Sequence, residues 1–225
     1  MPRSTRDRPA KAPLSVEAVV DAGLHVLRQD GIDAVTMRRV AGELDTGPAS
    51  LYVYVESRQD LLNKMFDAVA GEVDIGEPPD PKRWRDQLVA LVTRIREAMD
   101  RHPGIARVPL ANIPTGPNAM RVADHALGIL RAGGVDGRSA AWFIDVVSLF
   151  VNAASFETSI YVAEQADPAE HVERVESTFS QLDPSQFPNF AALGPALTSG
   201  SNDDRFQFGI RLMINGLLNT EPPAG

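Results

Sequence analysis

Apolar positions along this chain recur at helical spacing, and no stretch alternates as a half-buried strand does. The first clear case is Val16, Val19, Val20, Gly23, Leu24 and Leu27, which share one helical face. Ser15 is placed to cap that helix, and Glu17 lies in its first turn, where the helix dipole favours a carboxylate. Leu14 and Val19 are spaced as a hydrophobic staple, and Gly31 ends the helix. Three shorter helices are predicted next. Thr36 caps one over 37–44, with Met37, Val40, Ala41 and Leu44 turned inward. Asp45, Thr46 and Gly47 form a turn, and Pro48 suits the first position of a helix over 48–54. Ser57 with Asp60 resembles a capping box for a fourth helix over 57–70, which fades at Gly71. Its apolar face is Leu61, Leu62, Met65, Phe66 and Val69.

A Pro-rich stretch, 76–81, reads as a linker. Beyond it, helices are predicted over 82–101, 103–110, 117–132, 137–165, 168–182 and 203–218. Residues 183–202 read as a long loop holding at most one helical turn. The fold class is all-α, with a three-helix head followed by a larger helical domain. The expected divisions are 1–13 as a disordered basic arm, 14–71 as the head and 72–225 as the larger domain.

Composition narrows the function. Apolar residues make up 44% and charged residues 23%, as in soluble globular proteins. No apolar run was expected to reach the roughly 20 residues that span a bilayer, and the N-terminus has no signal-peptide core. With no cysteine, a thiolate metal site or nucleophile is excluded. A cytoplasmic location without a membrane partner fits. The net charge of −8 argues against a nucleic-acid partner until its distribution is considered. Residues 1–64 carry nine basic and nine acidic groups, so the whole deficit lies in 65–225. Arg3, Arg6, Arg8 and Lys11 against Asp7 make the tip basic.

The chemistry is concentrated in TMRRVAGELDTGPASLYVYV, residues 36–55. A helix, a tight turn and a second short helix place that second helix in a DNA major groove. Its start is small and polar, Leu51 and Val55 anchor its inner face, and Tyr52 and Tyr54 project away. Arg38, Arg39 and Arg58 flank the unit within reach of phosphates. The competing readings are a plain helical hairpin and, for Tyr52, packing under the helix with only its hydroxyl outward. From about Ser15 to Met65 the segment resembles the TetR family of repressors. The resemblance rests on Thr36-Met37-Arg38-Arg39-Val40-Ala41, Leu51-Tyr52, Val55, Ser57-Arg58 and Leu61-Leu62. It implies DNA contact by Thr36, Arg38, Pro48, Ala49, Ser50, Tyr52 and Tyr54, and a phosphate contact by Arg58. Three positions depart from the family's pattern. Asp45 stands where glycine is usual, Tyr54 where histidine is frequent, and Glu56 where a neutral or basic residue is common.

The resemblance also implies a homodimer on a palindromic double-stranded DNA operator. Segment 137–165 and the stripe Phe206, Gly209, Ile210, Met213, Gly216 and Leu217 would pair with their mates, or pack within the chain. His102-Pro103 and Gly116-Pro117-Asn118 resemble the tetracycline-repressor-type C-terminal domain. A small apolar or aromatic effector is expected among Met99, Leu110, Met120, Trp142, Phe143, Val147, Phe150 and Phe156, oriented by His102, Asn112, His125 and Asn152. Each of these aromatics suits a core as readily. Helix 57–70 would be the lever between effector and head. The histidines lack metal-ligand spacing, so no metal or cofactor is expected. The usual catalytic signatures are missing, which disfavours an enzyme. A helical ligand-binding protein with a silent head is the remaining alternative.

Overall fold

The computed structural model describes residues 13–111, 113–164 and 167–220, and among these it holds eleven α-helices, one 3-10 turn and no strand. The expected arm lies outside the described residues, Pro13 excepted. The chain forms two compact units that divide between Met65 and Phe66. The expected division at 71 falls instead at the end of a helix that continues through this point.

The first unit begins with α1, Val16–Asp30. Ser15 Oγ accepts from Ala18 N at 3.2 Å, and Gly31 ends the helix at φ 81°. A 3-10 turn, Ile32–Ala34, which the sequence had not suggested, leads to α2, Met37–Glu43, and α3, Pro48–Leu51. Asp45 sits between them at φ 49°, the left-handed conformation that aspartate tolerates better than most residues. α4 spans Arg58–Gly71. Ser57 Oγ accepts from Asp60 N at 3.1 Å, whereas the Asp60 carboxylate accepts from Glu56 N, one residue earlier than a capping box requires. Val19, Leu27, Val35, Val40, Leu51, Val55, Leu61 and Met65 form the core. Each such side chain contributes roughly 1.5–3 kcal/mol on burial. A Cβ at Gly23 would come within 2.7 Å of the Met65 sulfur, so the Met65 side chain from α4 lies directly against the α1 backbone here.

The second unit comprises the end of α4 and α5, Trp84–Asp100; α6, Arg107–Ala111; α7, Pro117–Ala132; α8, Gly137–Glu164; α9, Pro168–Ser180; α10, Pro188–Leu197; and α11, Asn202–Leu217. α5 packs on α7, α8 and α11 around Leu88, Leu91, Ile129, Leu130, Val147, Phe206 and Ile210. The end of α4 and the start of α7 cap each other. Asp67 Oδ1 accepts from Asn118 N and Ala119 N, and Arg121 Nη2 donates to Ala70 O and Val73 O. A carboxylate at one helix start and a guanidinium at another helix end both complement the backbone dipoles.

Several expectations change. Segment 76–81 is a strap within the second unit: Gln87 Nε2 donates to Pro78 O, and the Arg94 guanidinium donates to Asp74 O and Ile75 O. The expected loop 183–202 contains α10, which starts on Pro188 as its first residue and tolerates Pro195 near its end. Gly137–Ala163 is long and apolar enough to cross a membrane by length and composition, with a mean hydropathy of 1.5. The expectation of no such run was wrong, because its polar residues are mostly small and uncharged. In this unit it serves as a core helix, turning Ala140, Phe143, Val147 and Val151 inward against its neighbours. The stripe assigned to α11 is also corrected. Phe206 and Ile210 are buried in the chain's own core, and Gly209 lies under the Phe150 ring. The helix has a second apolar face, and that face carries the exposed Phe208 and Leu212.

Candidate nucleic-acid interface

The recognition segment is a rigid core position alternating with open ones. Leu51 is 0% and Val55 1% exposed, while Tyr52 is 56% and Val53 80% exposed. Pro48, Ala49 and Ser50 are exposed, and Tyr54 is half-buried. The regular helix is shorter than 48–54, stopping at Leu51, with Tyr54 N and Val55 N still donating to Leu51 O. Tyr52 is therefore an outward residue and not a packed one. Val53 was missed by sequence reasoning. The signal was available: it stands two residues after one buried anchor and two before the other.

The flanking basic residues divide by role. Arg38 is exposed and meets no partner among the described residues. Arg39 is engaged by Glu43 and Asp30, each at 2.9 Å, and these contacts hold its guanidinium more firmly protonated. Arg58 donates to Val35 O at 2.6 Å and Ile32 O at 2.9 Å, so much of its donor capacity fastens the 3-10 turn to α4. Thr36 caps α2 by accepting from Arg39 N. Thr36, Arg38, Arg39 and Gly42 line a shallow depression of about 290 Å³. Gly42 too had escaped the sequence reading.

The expected effector residues differ in burial among the described residues. Met99, Phe143, Val147 and Asn152 are buried, whereas Leu110, Met120 and Trp142 are exposed. Phe156 is half-buried, and Asn112 lies outside the described residues. Phe150 stacks on Phe206 at 5.6 Å between centroids. His102 is buried with Nε2 at 2.7 Å from Glu72 Oε1, an internal partner that occupies it. His125 Nε2 is shut off from solvent without a hydrogen-bond partner among the described residues. A cleft of about 540 Å³ opens elsewhere, between α5 and α11, lined by Thr93, Arg96, Asp100, Asp203, Phe206 and Gln207 among others. No grouping of metal-ligating side chains occurs among the described residues.

Known proteins bear on this geometry. The profile described as "Bacterial regulatory proteins, tetR family" matches residues 19–65, and that described as "Tetracyclin repressor-like, C-terminal domain" matches residues 77–220. The HTH-type transcriptional repressor DrrR1 of Streptomyces coeruleorubidus is 29% identical, covering 95% of this chain and 82% of its own. The Tetracycline repressor protein class C of Escherichia coli is 26% identical, covering 91% and 90%. Among solved structures, apo ActR of Streptomyces coelicolor is 35% identical with a TM-score of 0.84, covering 93% of this chain and 97% of its own. ActR in complex with actinorhodin is 36% identical with a TM-score of 0.83, covering 92% and 96%. With both parts of the chain matched and the head built around an exposed recognition segment, this protein belongs to the TetR family of bacterial transcriptional regulators.

Proposed function

We propose that this regulator represses transcription as a homodimer on a palindromic operator and is released by a small-molecule effector. The observation that carries the reading is the recognition segment, where Pro48, Ala49, Ser50, Tyr52, Val53 and Tyr54 are offered outward on the buried anchors Leu51 and Val55. Such an arrangement presents side chains to base edges on a fixed support. Thr36 and Arg38 reach phosphates beside them, with Arg39 and Arg58 as secondary contacts whose first duty is internal. Repression is supported by DrrR1, named a repressor, and effector release by ActR, solved with actinorhodin and with (S)-DNPA. The action is binding and release, not turnover, and its place is the cytoplasm.

Dimerisation is supported by apolar surface that a monomer leaves in water. Trp142, Val146, Leu149 and Ile160 form an exposed row on α8, and Phe208 and Leu212 another on α11, a helix packed against it. Contiguous exposed apolar surface of this kind marks an interface, and two heads about 34–36 Å apart would read half-sites one helical turn apart. The test is selection of bound sequences from a random DNA pool by the purified protein at moderate salt. An enriched palindrome is expected. Absence of enrichment by a folded dimer overturns the reading.

A further inference from the structure

We propose that the cleft between α5 and α11 is an effector subsite for an organic carboxylate, with Arg96 as the anion receptor and Asp203 as the group it displaces. The inference rests on the ligand-responsive reading above and adds a place and a chemistry to it. Arg96 is only 8% exposed, yet its side chain forms part of the cleft wall. Its guanidinium lies over the Phe206 ring, 4.6 Å from the centroid, which holds the fork in one plane. Nε lies 3.2 Å from Asp100 Oδ2, but at an angle that makes no hydrogen bond, so a buried donor is left unmet. Nη1 meets Asp203 Oδ1 at 3.0 Å.

The two carboxylates on Arg96 are unequal. Asp100 is anchored, accepting from Ser155 Oγ at 2.6 Å. Asp203 is 82% exposed and belongs to the first turn of α11, so its ion pair is held weakly and solvent can take its place. An incoming carboxylate that replaces Asp203 on Nη1 leaves the charge around Arg96 unchanged. The exchange avoids the penalty of adding an anion beside Glu97 and Asp100, which share the wall. Released Asp203 remains at the start of α11, where the helix dipole favours it. Thr93 and Gln207, joined by a 2.9 Å hydrogen bond, add a polar wall suited to hydroxyl or carbonyl groups on the ligand. The cleft volume, about 540 Å³, is that of small-molecule sites. Arg101, also in the wall, donates to Glu72 immediately after α4, so an occupied cleft adjoins the end of that helix. This polar site differs from the apolar, aromatic pocket expected from sequence.

The test titrates the full-length protein with 3-hydroxy-2-naphthoate and, separately, with its methyl ester, which caps the carboxylate and removes its charge, following ligand fluorescence. The acid is expected to bind and the ester to bind at least about tenfold more weakly. Arg96→Met should weaken the acid by about thirtyfold or more, the cost of removing a buried charge partner. Asp203→Asn, a surface change that leaves the core intact, should tighten it about two- to fivefold by removing the incumbent. Equal binding of acid and ester, loss of affinity in Asp203→Asn, or no binding by the wild-type protein overturns the proposal. An enriched operator alongside any of these sinks only the subsite, whereas failed operator selection sinks the regulator itself.

Discussion

In the head, the side chains of the recognition segment point away from the protein, and in the sensor unit polar side chains point at each other. Tyr52 and Val53 are open on a segment whose neighbours Leu51 and Val55 are fully packed. In the second unit His102 is taken by Glu72, Asn118 by Asp67, Ser155 by Asp100 and Gln207 by Thr93. The difference follows from distance along the chain. The head's surface is set within a few residues, by a turn and two anchors. The sensor unit's polar pairs join residues 30 to 114 positions apart, and no local pattern announces them. A residue that looks functional in a helix is therefore informative in the head and ambiguous in the sensor unit.

The largest expected effect breaks the support beneath the open surface. Leu51→Ala should cost the head about 2–5 kcal/mol, as truncation of a packed core leucine does, and thermal unfolding would read it. Full stability in that variant would mean the recognition segment is not anchored as described. Tyr54→Ala should weaken operator binding by about tenfold, within the ~1–3 kcal/mol of a base contact, with the dimer intact in sedimentation. Arg38 and Arg39 sharpen the contrast between free and engaged cations. Arg38→Ala should lower the slope of log affinity against log salt by about 0.9, one phosphate contact. Arg39→Ala should change it less, because Asp30 and Glu43 already hold that side chain. Equal slopes would erase the distinction.

The smallest effect concerns pH. Burial pushes the Asp100 carboxyl above its ordinary range, partly opposed by Ser155 and Arg96. The folded state therefore binds this proton more tightly than the unfolded chain does. Its stabilising contribution is complete below the ordinary carboxylate pKa and is lost as pH rises through the raised folded value. Asp100→Asn should flatten that part of the stability–pH curve. An unchanged curve would show that the carboxyl is not perturbed.

Much of the head was legible. Ser15, Thr36 and Gly31 act as the caps and stop that their types and positions suggested, and Asp45 takes the left-handed turn. These are local effects: the Ser15 and Thr36 hydroxyls accept from backbone three residues on, and the Gly31 N–H donates to Leu27 O four residues back. The helix starts at Pro117 and Gly137 were equally plain. The α10 helix was hidden because its prolines and glycine resemble loop composition, and it packs on α9 through Phe179 and Phe190, 5.0 Å apart. Which face of α11 turns inward was hidden too. Both faces are apolar, and only the fit against α5 and α8 selected Phe206, Ile210 and Ile214.

By itself, then, the order of residues determined an all-helical chain with a DNA-reading motif, because periodicity, capping and turn chemistry act over one or two helical turns. Tertiary structure decided which basic residues remain free for DNA, which apolar stripe is left exposed and where a buried arginine meets a cleft. Those outcomes depend on competition among distant partners for the same donors and the same apolar faces, and that competition exists only once the helices have packed.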